Sequence, residues 1–328
     1  MNILFLDEKK AVSRLVDVSL FERDSSITVE YFGSSLFIFS FGGLSKWDII
    51  IDANYTNSFH KLIVRHCNKI GIPTVLLHDG VFEWKNAFEN GLGYNLYSSI
   101  EHSIFFYFGG QQFRNYLTAL TGKPCVSYVP KFIMKENMHI QNDGDKFDFM
   151  LTVANKSYFD RDDFVNLVEL FQSLIDFLNH SKYTYCLRVF DQNILKALNV
   201  DGVTNIIDCD LEGAIKAVSK GVLTTKSTLQ FEIMQYGLPV CELIYRDVPI
   251  FSTPGWVLYM GCDYEKTLSS MYSPSQERLF HQKNLLSDFF ELDKNEPLKL
   301  ISDLNSSANY YRAKVVLKKI MYILKIKN

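Results

Sequence analysis

Short apolar runs alternate with amphipathic stretches along the chain, and this alternation predicts strands and helices in turn. In the first half, β-branched and aromatic runs bounded by Gly, Pro or polar residues predict seven strands. They cover Asn2–Leu6, Ile27–Phe32, Ser35–Ser40, Trp47–Asp52, Thr74–Leu77, Ile104–Phe108 and Val126–Val129. Helical spacing of apolar residues predicts helices at Ser58–Lys69 and Gln111–Thr121, which Gly71 and Gly122 end.

The polar stretch 134–146, which contains an Asn-Asp-Gly turn, is typical of a linker. After it the alternation begins again. The predicted strands are Phe147–Val153, Thr184–Phe190, Thr204–Ile207, Gly221–Thr224 and Pro239–Leu243, and the predicted helices are Asp162–Leu178, Gln192–Leu198, Asp210–Ser219 and Ser227–Gln235. From about Thr267 to Asn309 the pattern is helical and polar.

Strands that alternate with helices predict parallel βαβ units, which collect ligands at the carboxyl ends of their strands. The predicted fold is therefore α/β, with two Rossmann-like domains facing a cleft and a helical extension at the C-terminus. We expect an N-terminal domain at 1–133, a linker at 134–146, a second domain at 147–308 and a basic helix at 309–328.

The composition indicates a soluble globular protein. Of 328 residues, 47% are hydrophobic and 22% charged, and the net charge of −3 favours no binding to nucleic acid. The six cysteines are scattered without a C-x-x-C pair, which indicates reduced thiols and no zinc site. The N-terminus lacks the pattern of a signal peptide, and the best apolar stretch, Ser35–Leu44, is shorter than the roughly 18 residues of a membrane span. We expect a cytoplasmic protein.

The segment 309–328 carries six Lys or Arg residues and no acidic one. Helical spacing brings Val316, Leu317, Ile320, Ile323 and Leu324 to one face, and Lys314, Lys318 and Lys325 to another. Such a helix can lie on an anionic membrane, where each cation contributes about 1 kcal/mol. It can equally pack on a domain with its charges in solvent, and the sequence leaves both alternatives open.

The first candidate for chemistry is His78-Asp79-Gly80, directly after an apolar strand. The carboxylate of Asp79 can act as a general base toward a hydroxyl group, or as a nucleophile, and His78 can serve as the base instead. The alternative interpretation is a plain Asp-Gly turn.

The second candidate is Lys226-Ser227-Thr228 with Glu232, at a predicted strand-to-helix junction. Hydroxyl and free backbone N–H groups there suit a phosphate, and Glu232 suits a sugar or ribose hydroxyl. The alternative is an ordinary helix cap. Lys156, in a loop after a strand, and Arg188, late in another, are further anion-binding candidates. For Arg188 a structural ion pair is the alternative.

Several motifs are absent from the sequence: a Walker A loop, a G-x-G-x-x-G fingerprint, H-E-x-x-H and G-x-S-x-G. Kinase, dehydrogenase, zinc-protease and serine-hydrolase functions are therefore not indicated. No suitably placed Asp-x-Asp metal motif occurs either, because Asp208-Cys209-Asp210 opens a predicted helix.

Taken together, these residues resemble the GT-B glycosyltransferases of bacterial surface polysaccharides, above all the bacterial sialyltransferases and Kdo transferases. His78-Asp79-Gly80 looks like the acidic-acidic-Gly motif of those families, with Asp79 at the catalytic acid. Ser227-Thr228, followed by Glu232 and Gly237-Leu238-Pro239, looks like their Ser-Ser/Thr motif, which binds the donor phosphate and ribose. The first motif position is His rather than an acid, and the families' His-Pro motif is missing where Arg188 stands.

The resemblance implies metal-independent transfer of a sugar, without a cofactor, from a CMP-linked donor to a capsule or lipopolysaccharide acceptor, lipid-linked or oligosaccharide. The C-terminal helix would then contact the inner face of the plasma membrane. Three alternatives stay open. They are a GT-B transferase with a phosphosugar, phosphoribosyl or polyol-phosphate donor, a nucleotide-sugar epimerase, and a non-catalytic partner in a polysaccharide assembly complex.

Overall fold

A computed structural model describes residues 1–37, 43–54, 57–81, 101–134, 147–155, 157–248, 250–290 and 306–317. The chain divides into two compact units. Unit 1 comprises Met1–Phe132 and Phe289–Asn328, and unit 2 comprises Ile133–Asp288. Each unit contains its own parallel sheet, as the sequence predicts.

Unit 1 is built on a six-stranded sheet with the order β2-β1-β3-β4-β5-β6. The strands are β1 Asn2–Phe5, β2 Thr28–Glu30, β3 Ile49–Asp52, β4 Thr74–Val81, β5 Ile104–Phe108 and β6 Cys125–Ser127. The helices between them are α1 Lys9–Leu15, α2 Ser19–Arg23, α3 Ser58–Ile70 and α4 Gln111–Thr121. Every strand pair is parallel.

Both faces of this sheet are buried. Alternate residues of β1 and β3 belong to two separate apolar clusters, one with Phe5 and Ile51 and the other with Leu4 and Ile50. A strand covered on both faces reads as a continuous apolar run, which is why these strands are visible in the sequence. Polar side chains are accommodated mainly where each strand ends.

Unit 2 has a five-stranded sheet with the order β11-β10-β9-β7-β8, again with all pairs parallel. Its strands are β7 Phe147–Thr152, β8 Tyr185–Arg188, β9 Val218–Thr225, β10 Val240–Ile244 and β11 Trp256–Tyr259. Its helices are α5 Arg161–Asn179, α6 Gln192–Ala197, α7 Leu211–Lys216, α8 Leu229–Met234, α9 Tyr264–Tyr272 and α10 Gln276–Phe290. The sequence did not predict β11 as a strand, nor α1 and α2 as helices.

The strand predicted at Ser35–Ser40 is wrong in its described part, because Gly33–Phe37 forms a 3-10 helix. Phe32 has a left-handed φ of 56°, which turns the chain out of an extended path. At Gly33 a Cβ atom would come within 2.5 Å of the Leu4 side chain, so only glycine fits this close approach. Residues 38–42 lie outside the described part of the chain.

The strand predicted at Thr204–Ile207 is also wrong. Asn205 makes one isolated bridge to Leu187, on the edge strand β8. Its side-chain amide accepts a hydrogen bond from Val189 N at 3.0 Å and donates one to Val189 O at 3.0 Å. The backbone pairs with β8 only at this bridge, through Leu187 N to Thr204 O at 2.8 Å and Ile206 N to Leu187 O at 2.7 Å, and the next contact is made by the Asn205 side chain instead of a further strand.

The sequence assigned residues 147–308 to the second domain, whereas the segment from Phe289 belongs to unit 1. The rings of Phe289 and Phe290 pack edge-on against Phe108 of β5, with centroids 5.2 and 5.6 Å away. A polar helical pattern does not reveal which core its few apolar residues will join. The predicted linker lies, apart from Met134, outside the described residues.

Residues 306–317 are helical, in agreement with the basic helix predicted there. Arg312 Nη2 donates to Asp48 O at 2.7 Å, and Lys314 Nζ donates to Gly122 O at 3.2 Å. Val316 and Leu317 are 54% and 58% exposed. Two basic side chains therefore contact the rest of unit 1, while two apolar side chains face solvent. Residues 318–328 lie outside the described part.

Among the helices that the structure describes, none is long and apolar enough to span a bilayer.

Candidate functional site

The motif His78-Asp79-Gly80 forms a bulge inside strand β4. From Leu77 to Val81, β4 advances four residues while its partner β5 advances only two, from Phe106 to Phe108. The strand continues to Val81 and pairs there again, so the Asp-Gly turn considered as an alternative is wrong. Bulges redirect side chains and often occur beside active sites.

Two side chains satisfy the backbone groups that the bulge releases. Tyr128 Oη donates to the His78 carbonyl at 2.5 Å, and His78 Nδ1 lies 2.9 Å from the Gly80 carbonyl. The backbone N of Gly80 also lies 3.4 Å from His78 Nδ1, so both polar backbone groups of Gly80 face this ring nitrogen. His78 is buried, whereas Asp79 is exposed at the carboxyl end of the strand. Asp79 is thus the accessible member of the motif, and His78 and Tyr128 position it.

Asp79 also affects its buried neighbour electrostatically. Burial, and then the charge of Asp79, raise the pKa of Tyr128 well above its ordinary value. The phenol is therefore protonated at neutral pH and can donate its hydrogen bond there.

A second polar cluster, which the sequence analysis missed, lies under the same edge of unit 1. Asp52, the last residue of β3, is fully buried. Its two carboxylate oxygens lie 2.9 Å from His60 Nδ1 and 3.0 Å from His102 Nε2. Asp7, in the loop after β1, lies 3.9 Å from His60 Nδ1. The signal for it was an acidic residue directly after each of two apolar strands, Leu6-Asp7 and Ile51-Asp52.

The two carboxyl groups of this cluster have opposite pKa shifts. Burial, with the adjacent charge of Asp52, raises the pKa of Asp7 to about 6. Burial also acts to raise the pKa of Asp52, but the hydrogen bonds from His102 and His60 outweigh it and hold that pKa below its usual value. Burial is the largest single effect on the pKa of His60 and lowers it, but the hydrogen bond to Asp52 together with the charges of Asp52 and Asp7 gives a net increase.

In unit 2, polar residues form a row across the carboxyl end of the sheet. The register pairs Arg188 of β8 with Thr152 of β7, Thr152 with Thr224 of β9, and Thr224 with Glu242 of β10. Thr152, Thr224 and Glu242 are buried. Gln230 Nε2 of α8 donates to Glu242 Oε2 at 3.2 Å. In-register residues of parallel strands share a face, so this row lies on the face that carries Gln230.

The predicted phosphate-binding residues follow β9. Lys226, Ser227 and Thr228 are all half-buried and occupy the junction between β9 and α8. Ser227 Oγ accepts from Leu229 N at 3.1 Å, a local contact one residue before the helix cap Thr228, whose own side chain makes no cap hydrogen bond. Lys226 Nζ lies 5.9 Å from the ring centroid of Phe251. Glu232 is half-buried inside α8, which has only six residues and so contributes little dipole.

Of the other two anion-binding candidates, Arg188 lies in the described part of the chain and Lys156 does not. Arg188 lies at the end of β8 with its guanidinium 4.8 Å from the Phe190 ring centroid, and its buried Nε has no hydrogen-bond partner among the described residues. The ion pair considered as the alternative does not occur in the described part of the chain. Lys156 lies outside the described residues.

A buried ion pair lies near the same edge. Arg246, after β10, places Nη1 3.5 Å from Asp163 Oδ2, with side chains 6% and 2% exposed. Tyr245 Oη donates to Ser157 O, while Ser157 Oγ is buried without a partner among the described residues. These residues are not apparent from the sequence, because a loop Arg and a helical Asp give no local signal of pairing.

Solved structures with the same fold include a protein from Listeria monocytogenes whose proposed activity is that of a UDP-N-acetylglucosamine 2-epimerase. It has 12% identity and a TM-score of 0.55, with 93% of this chain and 95% of that chain covered. S. aureus MnaA in complex with UDP has 10% identity, a TM-score of 0.54 and coverages of 99% and 96%. The calicheamicin glycosyltransferase CalG4 has 12% identity, a TM-score of 0.49 and coverages of 94% and 98%.

No family model matches the sequence, and no curated protein matches it significantly. At 10 to 12% identity the structural likeness concerns the fold. Two α/β units, each with a parallel sheet flanked by helices, agree with the GT-B class that the sequence predicted.

Proposed function

We propose that this chain is a glycosyltransferase that moves a sugar from an activated donor, CMP-linked by its motifs, to a glycan acceptor in bacterial surface-polysaccharide synthesis. The observation that carries the proposal is the bulge in β4. It exposes the Asp79 carboxylate at the carboxyl end of a parallel sheet, where α/β proteins bind ligands, and buries His78 beneath it. The fold likeness supports the scaffold but not the reaction.

In the proposed reaction Asp79 accepts the proton of an acceptor hydroxyl while its oxygen attacks the anomeric carbon. The bond from that carbon to the donor phosphate breaks, and the phosphate leaves with the electron pair. Inversion follows from one such displacement. In a retaining reaction Asp79 would instead displace the donor phosphate and bond to the anomeric carbon. The acceptor oxygen would then displace Asp79 from that carbon, and the acceptor proton would pass to the departed phosphate.

Unit 2 supplies the donor side of the proposal. Lys226, with Arg188 and Lys156, would neutralise the leaving phosphate, and the hydroxyls of Ser227 and Thr228 would donate to its oxygens. Glu232 would accept from a sugar or ribose hydroxyl. The available Arg188 Nε supports this role, because a buried donor without a partner is costly and a phosphate oxygen would satisfy it. The proposed transfer needs neither a metal nor another cofactor.

The proposed acceptor is a lipid-linked or oligosaccharide glycan, with the C-terminal helix touching the inner face of the plasma membrane. The exposed Val316 and Leu317 support membrane contact. Arg312 already donates a hydrogen bond to Asp48 O, however, so the other basic residues of the helix would have to bind anionic lipid. Nucleic acid has no part in the proposal.

Donor binding is tested by thermal shift and calorimetry with CMP, UDP, GDP and CDP and their sugars. A ligand at a hundredfold excess over Kd stabilises the folded state by about 2.7 kcal/mol, enough to raise Tm by a few degrees. We expect CMP to raise the Tm of the unchanged chain, and we expect Ser227→Ala and Arg188→Gln to make that increase smaller. A shift with another nucleotide or a phosphosugar alone would contradict the CMP donor and favour the alternative donors.

The role of Asp79 is tested with a matched pair of variants. Asp79→Asn removes the charge, and Asp201→Asn does the same at a second Asp-Gly dipeptide, where Gly202 has a φ of 75° in a real turn and Asp201 is exposed. We expect Asp79→Asn to abolish glycan synthesis while donor binding persists, and Asp201→Asn to have no effect. Unchanged synthesis in Asp79→Asn cells would contradict catalysis and favour the non-catalytic partner.

A nucleotide-sugar epimerase is the second candidate, because the solved structures with the same fold include a UDP complex and a protein of proposed epimerase activity. The two functions differ in their need for an acceptor. Incubation with UDP-N-acetylglucosamine alone, followed by NMR, would show a new epimer if the chain is an epimerase. Under the transferase proposal no epimer appears, and sugar transfer requires an acceptor.

A further inference from the structure

Three groups that commonly bind metal ions converge in unit 1, away from Asp79 in the sequence. Asp7 follows β1, Asp52 ends β3, and His60 lies in the first turn of α3. One ligand atom from each lies within 4.8 Å of the others. The side chains of Asp7, Asp52 and His60 are 10%, 1% and 5% exposed, so the cluster is enclosed rather than a chance grouping of surface carboxylates.

The local structure fixes each of these groups. Asn57 caps α3 by accepting from the backbone N–H groups of Phe59 and His60, which sets the first turn of the helix. Asp52 occupies a central strand between β1 and β4. Asp7 is held by its Oδ2, which accepts from Ala53 N at 2.7 Å. The arrangement is therefore formed before any ion arrives.

A second layer of donors orients both carboxylates. His102 Nε2 lies 3.0 Å from Asp52 Oδ2, and Asn54 N donates to Asp52 Oδ1 at 2.8 Å. With Asp7 Oδ2 engaged by Ala53, the oxygen nearest to His60 is Asp7 Oδ1, at 3.9 Å. Outer hydrogen bonds of this kind position metal ligands and are as much part of a metal site as the ligands.

The charges also favour a cation. Two enclosed carboxylates side by side repel each other unless a proton or a cation lies between them. A protonated His60 offers one such charge, whereas a divalent ion offers two and lets His60 bind through a neutral nitrogen. The separations, 2.9 Å from His60 Nδ1 to Asp52 Oδ1 and 3.9 Å to Asp7 Oδ1, bracket the spacing of ligands around one ion.

We propose that Asp7, Asp52 and His60 bind one divalent transition-metal ion of the Zn²⁺ type, which joins the ends of β1, β3 and α3. One imidazole with two carboxylates suits Zn²⁺ or Co²⁺ better than Mg²⁺ or Ca²⁺, which prefer oxygen ligands only. Three protein ligands leave a fourth position for water. The ion holds loops at this edge of unit 1. The inference does not rest on the proposed sugar transfer, which uses no metal.

The test is calorimetric titration of the full, EDTA-treated and dialysed chain with ZnCl₂, followed by the visible absorption of Co²⁺ at the same site. We expect one equivalent to bind, unaffected by excess Mg²⁺. Asp7→Asn keeps the acceptor for Ala53 N and removes the charge, and should weaken binding at least tenfold. His60→Gln should do the same, and His102→Gln should weaken binding by about 10- to 100-fold.

His66→Gln is the matched control, because His66 lies on the same helix, half-buried and outside the cluster. It should bind Zn²⁺ as the unchanged chain does. Absence of one-equivalent binding, or binding by Asp7→Asn equal to that of the unchanged chain, would overturn the proposal and leave a metal-free hydrogen-bond cluster. Should His60→Gln fail to fold, as judged by circular dichroism, the nearly isosteric Asp7→Asn decides alone.

Discussion

Tyr128, which follows β6, donates its phenolic hydrogen to the backbone carbonyl of His78 in β4, at 2.5 Å across the intervening strand β5. The bond satisfies a carbonyl that the bulge removes from the ladder. It therefore links the conformation of the Asp79 motif to a residue 50 positions further along the chain.

Tyr128→Phe should lower the free energy of unfolding by about 1–3 kcal/mol, because it leaves a buried carbonyl without a donor. Urea denaturation measures this, and Tyr310→Phe serves as the control, since Tyr310 is 58% exposed and should change stability by less than about 0.5 kcal/mol. Equal effects of the two variants would mean that the hydrogen bond does not stabilise the bulge.

The ion pair of Arg246 and Asp163 should show strong coupling. Asp163→Asn leaves the Arg246 charge buried, and we expect a loss of about 3–5 kcal/mol. The double variant with Arg246→Met removes that charge as well, so its loss should be clearly smaller than the sum of the single losses. Additive losses in a urea-denaturation cycle would show that the two side chains do not interact energetically.

The thiols should divide into two classes. Burial raises the pKa values of Cys67 and Cys186 to about 12 and also raises those of Cys125 and Cys241. At pH 8 these four stay protonated and inaccessible, since the thiolate is the reactive form. A thiol reagent should modify Cys209 and Cys262 in the folded chain, because both side chains are partly exposed to solvent. It should modify all six cysteines only after denaturation. Rapid modification of four or more would contradict the burial of the core cysteines.

Two glycines should respond to alanine in opposite directions. At Gly221 a Cβ would come within 2.8 Å of the Pro239 carbonyl, so Gly221→Ala should destabilise the protein by about 1–3 kcal/mol. Gly213 lies inside α7, where a Cβ would come within 3.2 Å of both Asp210 Oδ1 and Cys209 Cβ, side-chain contacts that a shift of a few tenths of an ångström relieves. Gly213→Ala should stabilise the protein by up to about 1 kcal/mol through helix propensity. Thermal denaturation of both variants checks the signs.

The strands that are buried on both faces were predictable from the sequence, whereas two segments predicted as strands were wrong. Ile49–Asp52 and Ile104–Phe108 were found because a continuous apolar run is a local signal. The run at Ser35–Ser40 gave the same signal, but the close packing of Gly33 against Leu4 turned the chain there. The strand predicted at Thr204–Ile207 is reduced to a single backbone bridge at Leu187, because beyond it the Asn205 side chain, and not the backbone, pairs with Val189.

The candidate site was predictable in part. Asp79 and His78 drew attention because they follow an apolar strand, but their division into an exposed and a buried partner arises from the bulge, which needs β5 and Tyr128 to exist. Arg188 was predicted to bind an anion, with a structural ion pair as the alternative, and no ion pair of Arg188 occurs among the described residues, where its buried Nε has no partner.

By itself the sequence determined two parallel α/β units and the strand ends at which chemistry is possible, since hydrophobic periodicity is a property of neighbouring residues. Only the tertiary structure decided that His102 meets Asp52 from 50 residues away, that Asp7 and His60 join them, and that Phe289 packs in unit 1. Such contacts depend on how separate elements dock, and neither local propensity nor spacing along the chain encodes that docking.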